Sequence, residues 1–144
     1  MYSNPNNVAL SNSNVVTFSV VIPTYNESEN ILGLITEIEK NLPTSHFTEI
    51  IIVDDNSPDG TGKLVENYIE EQNAKLEKGR DNSSGSNSKN YRVKIVHRRA
   101  KNGLIPAILD GVKQSTGMNV LIMDADFSHP PEVIPKMMRE LALN

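Results

Sequence analysis

Four short apolar runs, three of them rich in β-branched residues, divide this chain, and each stops at polar residues. They are 17–23 (TFSVVIP) before Thr24-Tyr25-Asn26-Glu27, 49–53 (EIIIV) before Asp54-Asp55, 93–96 (VKIV) before His97-Arg98-Arg99, and 120–123 (VLIM) before Asp124-Ala125-Asp126. Near-continuous apolar runs, without in/out alternation, mark strands buried on both faces, the habit of parallel sheets. The intervening segments carry helical spacing. Ile31, Leu34, Ile35, Ile38 and Leu42 share one face before Pro43, with Asn26 or Ser28 as the expected cap. Leu64, Val65, Tyr68 and Ile69 mark a second helix over 61–72. A third is expected over 104–114, with Pro106 tolerated in its first turn and Gly117 ending it, and a fourth over 131–143. Strand–helix alternation of this kind predicts an α/β fold, a mostly parallel sheet with helices on both faces and right-handed crossovers.

A chain of 144 residues with 38% hydrophobic content suits one core, expected over 17–144. Residues 1–16 lack the basic start and apolar centre of a signal peptide and read as a disordered polar tail. Residues 75–90, including KGRDNSSGSNSKN, read as a flexible surface insertion. A net charge of −4 leaves no basic stripe for a phosphate backbone, which argues against nucleic-acid binding. The absence of cysteine removes disulfides, thiolate catalysis and zinc–thiolate sites together, and fits a reducing compartment. No stretch approaches the roughly 18 to 20 apolar residues of a membrane span.

Ligands of open parallel sheets bind outside the carboxyl ends of the strands. All four polar segments collect on that rim. Asp124 and Asp126, spaced i and i+2, are expected to aim the same way and to share a divalent cation carried on phosphates, with the small Ala125 permitting close approach. Taken alone the pair reads equally as a solvated, capping turn; three further polar strand ends on the same rim favour the ligand. There is no GxGxxG and no GxxxxGK[ST], so phosphates must be held by a metal with help from the Arg98–Lys101 cations. Tyr25 and the backbone at Pro23 can wall a nucleoside, and Glu27 can accept from it. One of Asp54 and Asp55 should face the ligand while the other braces a loop, and residues 56–60 read as turn and cap.

The segments PTYNE, IIIVDDNSPDGT, RRAKNGL with ILDG, and IMDADFSHPPEVIP, in this order, resemble the family-2 glycosyltransferases of GT-A fold. Within that family the chain is most similar to dolichol-phosphate mannosyltransferases and their polyprenyl-phosphate relatives. The resemblance runs from about Phe18 to the end, interrupted by residues 75–90. It implies a Rossmann-like nucleotide-binding half in which Pro23, Tyr25, Glu27, Val53 and Asp55 contact the nucleotide. Asp124, Ala125 and Asp126 then bind the diphosphate through Mg2+ or Mn2+, with Ser128 behind them as an indirect, water-mediated metal partner and His129 structural. Lys101 and Gly103 match a segment that shapes the loop and adds positive potential near the diphosphate.

The implied reaction transfers mannose from GDP-mannose to dolichyl or another polyprenyl phosphate with inversion, on Asp124 and Asp126. An acceptor phosphate is already anionic, so no strong general base is required. The family continues past the helix in which this chain stops, into an acceptor-binding part. The expectation is therefore a donor-binding portion with little turnover by itself. The full protein is expected on the cytoplasmic face of the plasma membrane or endoplasmic reticulum, held peripherally. Three alternatives stand beside this reading: a UDP-glucose-dependent polyprenyl-phosphate glucosyltransferase, a non-catalytic nucleotide-sugar-binding or regulatory module, and a phosphoryl- or nucleotidyl-transfer enzyme using the same Asp pair.

Overall fold

Four parallel strands form the centre of the computed structural model, which describes residues 16–80 and 89–142. They are β1 (Val16–Thr24), β2 (Phe47–Asp54), β3 (Tyr91–His97) and β4 (Asn119–Ile122), in the order β3-β2-β1-β4. The helices are α1 (Ile31–Asn41), α2 (Thr61–Arg80), α3 (Leu104–Gln114) and α4 (Ile134–Ala142). A single 3-10 turn, Pro131–Val133, leads into α4. Of the expected fourth helix, Leu143 lies outside the described residues, as do positions 1–15 and 81–88.

Helices cover both faces, unequally. Alternation along the strands sends Phe18, Val20, Ile22, Ile50, Ile52, Leu121 and Met123 to one side, where they pack with Leu34 and Ile35 of α1, Val65 of α2 and Met138 of α4. Val21, Ile51 and Val53 point the other way, beneath Ala107 of α3. Close approach there depends on Gly111: a Cβ at that position would overlap Val21 Cγ1 and lie 2.9 Å from Val53 Cγ2. Because α3 packs over β1 and β2, the side chains of Val120 and Ile122 on β4 stay exposed.

Several boundaries differ from the sequence expectation. The first strand begins at Val16, inside the expected tail, because that side chain is buried and pairs opposite Phe47. Helix α2 continues through residues 75–80, which were expected to belong to the insertion; Ala74, Leu76, Glu77 and Lys78 are good helix formers on a largely exposed rod. Neither Asn26 nor Ser28 caps α1. Asn26 adopts a left-handed turn at φ 53°, Asn30 sits at the N-cap, and the Glu27 carbonyl accepts from Ile31 N–H. Gly117 is not the stop of α3, which ends at Gln114; a side chain there would meet the β1 backbone 2.7 Å away at Phe18 and Ser19.

The amino-terminal end of the sheet is closed by a buried carboxylate. Glu49 accepts from Ser19 Oγ at 2.6 Å and Thr116 N–H at 2.5 Å, and pairs with Lys94 at 2.8 Å and Arg92 at 3.1 Å. One side chain thus joins β1, β2, β3 and the α3–β4 connection. Burial alone pushes the carboxyl up, but hydrogen bonding by Lys94, Ser19, Thr116 and Arg92 outweighs it and lowers the pKa to about 2.

Two stability predictions follow from this packing. Gly111→Ala gains about 1 kcal/mol of helix propensity but overpacks the α3–sheet contact by about 1–3 kcal/mol, so its denaturant midpoint should fall below wild type. Glu49 is expected to stabilise the fold by about 2 kcal/mol, a figure reduced for the solvent that reaches Arg92. With a folded pKa of about 2 against an ordinary 4.5, that stabilisation is complete above the ordinary value and is lost as pH falls toward 2. Glu49→Gln should be less stable at neutral pH, with a flatter stability profile between pH 5 and 2; parallel profiles would contradict this role.

Candidate functional site

The order of the sheet reverses at β1: β2 and β3 extend to one side, while the chain returns from β3 to place β4 on the other. In open parallel sheets this reversal leaves a crevice at the carboxyl ends of the diverging strands. The segments at its mouth are 23–30 after β1 and 123–130 after β4.

The first of these loops is held by side chains from the β2–α2 connection. Asn26 N–H donates to Ser57 Oγ at 2.9 Å, Glu27 N–H to Thr61 Oγ1 at 3.0 Å and Ser28 N–H to Asp59 Oδ2 at 3.0 Å. Asp54 holds the holder: it accepts from Thr24 Oγ1 and from both the backbone and hydroxyl of Ser57. Burial pushes the Asp59 carboxyl up, but hydrogen bonding by Thr61 and Ser28 prevails and lowers its pKa to about 2. Residues 56–60 were expected to be turn and cap. Asp59 does accept from Thr61 N–H at the start of α2, but Ser57, Asp59 and Thr61 also position the neighbouring loop. The SPDGT pattern announces a turn without naming its partner.

Asp55 is fixed from the opposite direction. Its carboxylate accepts from Asn102 N–H at 3.1 Å and Gly103 N–H at 3.1 Å, and pairs with Arg98 Nη1 at 3.3 Å. Arg98, itself largely buried, also reaches Asp110 at 3.2 Å and the Gly103 carbonyl at 3.2 Å. Both aspartates therefore brace loops. This core of charge folds residues 98–103 back toward β1, and the Lys101 ammonium lies 4.0 Å from the centre of the Tyr25 ring. Tyr25 and Lys101 are thus brought together. Val53 buries its side chain under α3, leaving its carbonyl, 3.4 Å from Thr24 Oγ1, on the strand end. Glu27 is half-buried and accepts from Asn30 Nδ2.

At β4 the pairing ends at Ile122, before the two aspartates, yet the alternation of burial continues: Met123 in, Asp124 out, Ala125 in, Asp126 out. Ala125 faces the core beside Met123, where its small side chain is buried. Both carboxylates share the outward side. Ser128 joins them, its N–H donating to Asp126 Oδ1 at 3.0 Å and its hydroxyl to Asp124 Oδ2 at 3.3 Å. Hydrogen bonding from Ser128 holds the Asp126 carboxyl below its ordinary range. Two carboxylates and a hydroxyl are hard oxygen donors of the kind Mg2+ or Mn2+ accepts together with phosphate oxygens. Among the described residues no group of three or more His, Cys, Asp or Glu assembles for a metal, so a cation here needs ligand oxygens as well.

A family model described as glycosyl transferase family 2 matches residues 19–144. The chain belongs to that family. As a family-2 member it is 39% identical over 123 residues to a dolichol-phosphate mannosyltransferase of Pyrococcus furiosus, covering 85% of this chain and 29% of that protein. It is 34% identical over 128 residues to the Saccharomyces cerevisiae protein of the same name, covering 88% and 41%. This family-2 chain spans less than half the length of the curated relatives it matches. Among solved structures it resembles the mannosyltransferase PcManGT of Pyrobaculum calidifontis in complex with GDP-Man and Mn2+, with a TM-score of 0.59 and 26% identity over 76% of this chain and 27% of that one. It also resembles S. aureus TarS in complex with UDP, with a TM-score of 0.57 and 27% identity over 77% and 28%. The parallel sheet and its GT-A arrangement were therefore read correctly from the sequence.

The role of Asp55 is measurable without any ligand. A hydrogen bond to a charged acceptor contributes about 1.5–3 kcal/mol, so Asp55→Ala should accelerate amide exchange at Asn102 and Gly103 by roughly tenfold or more. The amides of Asn26 and Ser28, held by Ser57 and Asp59, should keep their protection.

Proposed function

We propose that this chain is the donor-binding portion of an inverting glycosyltransferase that moves mannose from GDP-mannose to dolichyl or another polyprenyl phosphate. The observation carrying the reading is the outward pair Asp124 and Asp126, joined through Ser128 after β4, next to the point where the strand order reverses. The names of the mannosyltransferase relatives support the sugar and the acceptor. Pro23, Tyr25, Glu27 and the Val53 carbonyl wall the nucleoside. Asp55 shapes that pocket through the 98–103 loop it holds.

Asp124 and Asp126, with Ser128 beside them, would hold Mg2+ or Mn2+. The bound cation supplies charge neutralisation for the departing nucleoside diphosphate. Lys101 adds a second positive charge on the same rim. The acceptor phosphate arrives ionised, so the chain's residues orient the donor and need not abstract a proton. Among the described residues no helix is long and apolar enough to cross a membrane, and the proposed contact of the full protein with its lipid acceptor is peripheral, at a cytoplasmic membrane face. A UDP-sugar donor is the second reading, supported by the likeness to TarS with UDP.

Calorimetry with GDP, UDP and GDP-mannose, each with and without Mn2+, tests cation and base together. Mn2+-dependent binding of GDP and GDP-mannose, tighter than UDP, is expected, and Asp126→Ala should abolish the metal-dependent part. Tighter UDP binding would transfer the proposal to a UDP-sugar donor; GDP binding indifferent to Mn2+ and to Asp126→Ala would overturn the cation site.

A further inference from the structure

We infer that His129 is the positioning residue that presents Asp124 and Asp126 as a single donor set, and that it acts through Nδ1. The sheet's last hydrogen bond on this side runs from Met123 N–H to the Val21 carbonyl. Asp124 is the first residue beyond it, and its N–H donates to His129 Nδ1 at 3.1 Å. A ring nitrogen that accepts carries no proton, so the neutral imidazole holds its proton on Nε2. Nε2 lies 3.9 Å from Asp124 Oδ2, beyond hydrogen-bond reach. The ring thus grips the backbone of Asp124 and makes no hydrogen bond to its carboxylate, which Ser128 reaches instead.

The chain is bent to make this contact. Phe127 adopts φ 63°, a left-handed conformation that costs a bulky residue about 1–2 kcal/mol. That reversal returns residues 128 and 129 over 124 and 126. Its retention requires compensation. The Phe127 ring reaches α1 near Gly33, Ser128 bonds to both aspartates, and His129 bonds to the strand end. Downstream, Pro130 at φ −68° restricts His129 to extended backbone, and Pro131 is buried. The imidazole is therefore positioned from both directions, while it remains half-exposed. Partners that orient metal-binding side chains typically change affinity by about 10–100-fold when removed.

The effect on cation binding rests on the function proposed above; the hydrogen bond itself does not. Asparagine places its side-chain oxygen where Nδ1 lies, whereas glutamine reaches the position of Nε2. In the 144-residue chain, amide exchange at Asp124 and Mn2+-dependent GDP affinity are measured for wild type, His129→Ala, His129→Asn and His129→Gln. Alanine and glutamine should speed Asp124 exchange and weaken Mn2+–GDP by about tenfold, while asparagine stays within about threefold of wild type on both. Equal behaviour of the asparagine and glutamine variants, or wild-type Asp124 protection in the alanine variant, would overturn the inference. Wild-type chain that fails to bind GDP with Mn2+ refutes the proposed function instead, and the ordering of Asp124 exchange across the four proteins still decides the role of Nδ1.

Discussion

Parallel pairing of β1 with β2 runs from Val16 opposite Phe47, with an irregularity before Phe18, to Thr24 opposite Asp54, with apolar side chains buried on both faces for most of its length. Water reaches neither side, so functional polar groups are confined largely to the two ends of the ladder. At the amino end Glu49 and its cations close the sheet. At the carboxyl end the chain must leave in loops, and the reversal of strand order at β1 separates those loops into a crevice. Everything with a chemical role in the reading offered above lies on that end.

Rim loops of this kind cannot take their order from apolar burial, since a ligand has to reach them. Their order comes from acceptor side chains bonded to neighbouring backbone N–H groups. Asp59, Thr61 and Ser57 hold residues 26–28, Asp55 holds 102 and 103, Asp126 holds 128 and His129 holds 124. Among the described residues three positions other than glycine take left-handed backbone to make this possible, Asn26, Asn56 and Phe127. Two are asparagines, whose short polar side chains tolerate that region; Phe127 is not, and it requires more partners than the others.

The layers of the fold were legible because strand burial and helix periodicity write themselves into local composition. The runs IIIV and VVIP, and the spacing of Ile31, Leu34, Ile35 and Ile38, are each readable within a dozen residues. The rim was legible as a gathering of residue types but not as a wiring pattern. Nothing local distinguishes Asp54, which grips Thr24 and Ser57, from Asp55, which grips a loop 47 and 48 residues away. Arg98 reads as one of the cations that help hold phosphates, yet it is buried between two aspartates on different elements. Gly117 reads as a helix stop, although its lack of a side chain serves an approach to β1 almost a hundred residues earlier. Sequence separation, not residue type, sets the limit.

Pro23 illustrates how a local rule and the topology meet. A proline lacks the N–H that a central strand requires. The carbonyl of Val21 accepts from β4 and that of Thr24 from Asp55 on the β2 side, so position 23 faces the side of β4. There the pairing has already ended, at Val21 opposite Ile122. The missing donor therefore falls where no acceptor waits, and the proline leaves the β2 ladder intact while preventing further pairing with β4. The two strands part at that point. Tyr25 and the Asp124–Asp126 turn are thus carried on separate loops, one after β1 and one after β4, and a single residue unsuited to a sheet interior marks where those loops begin.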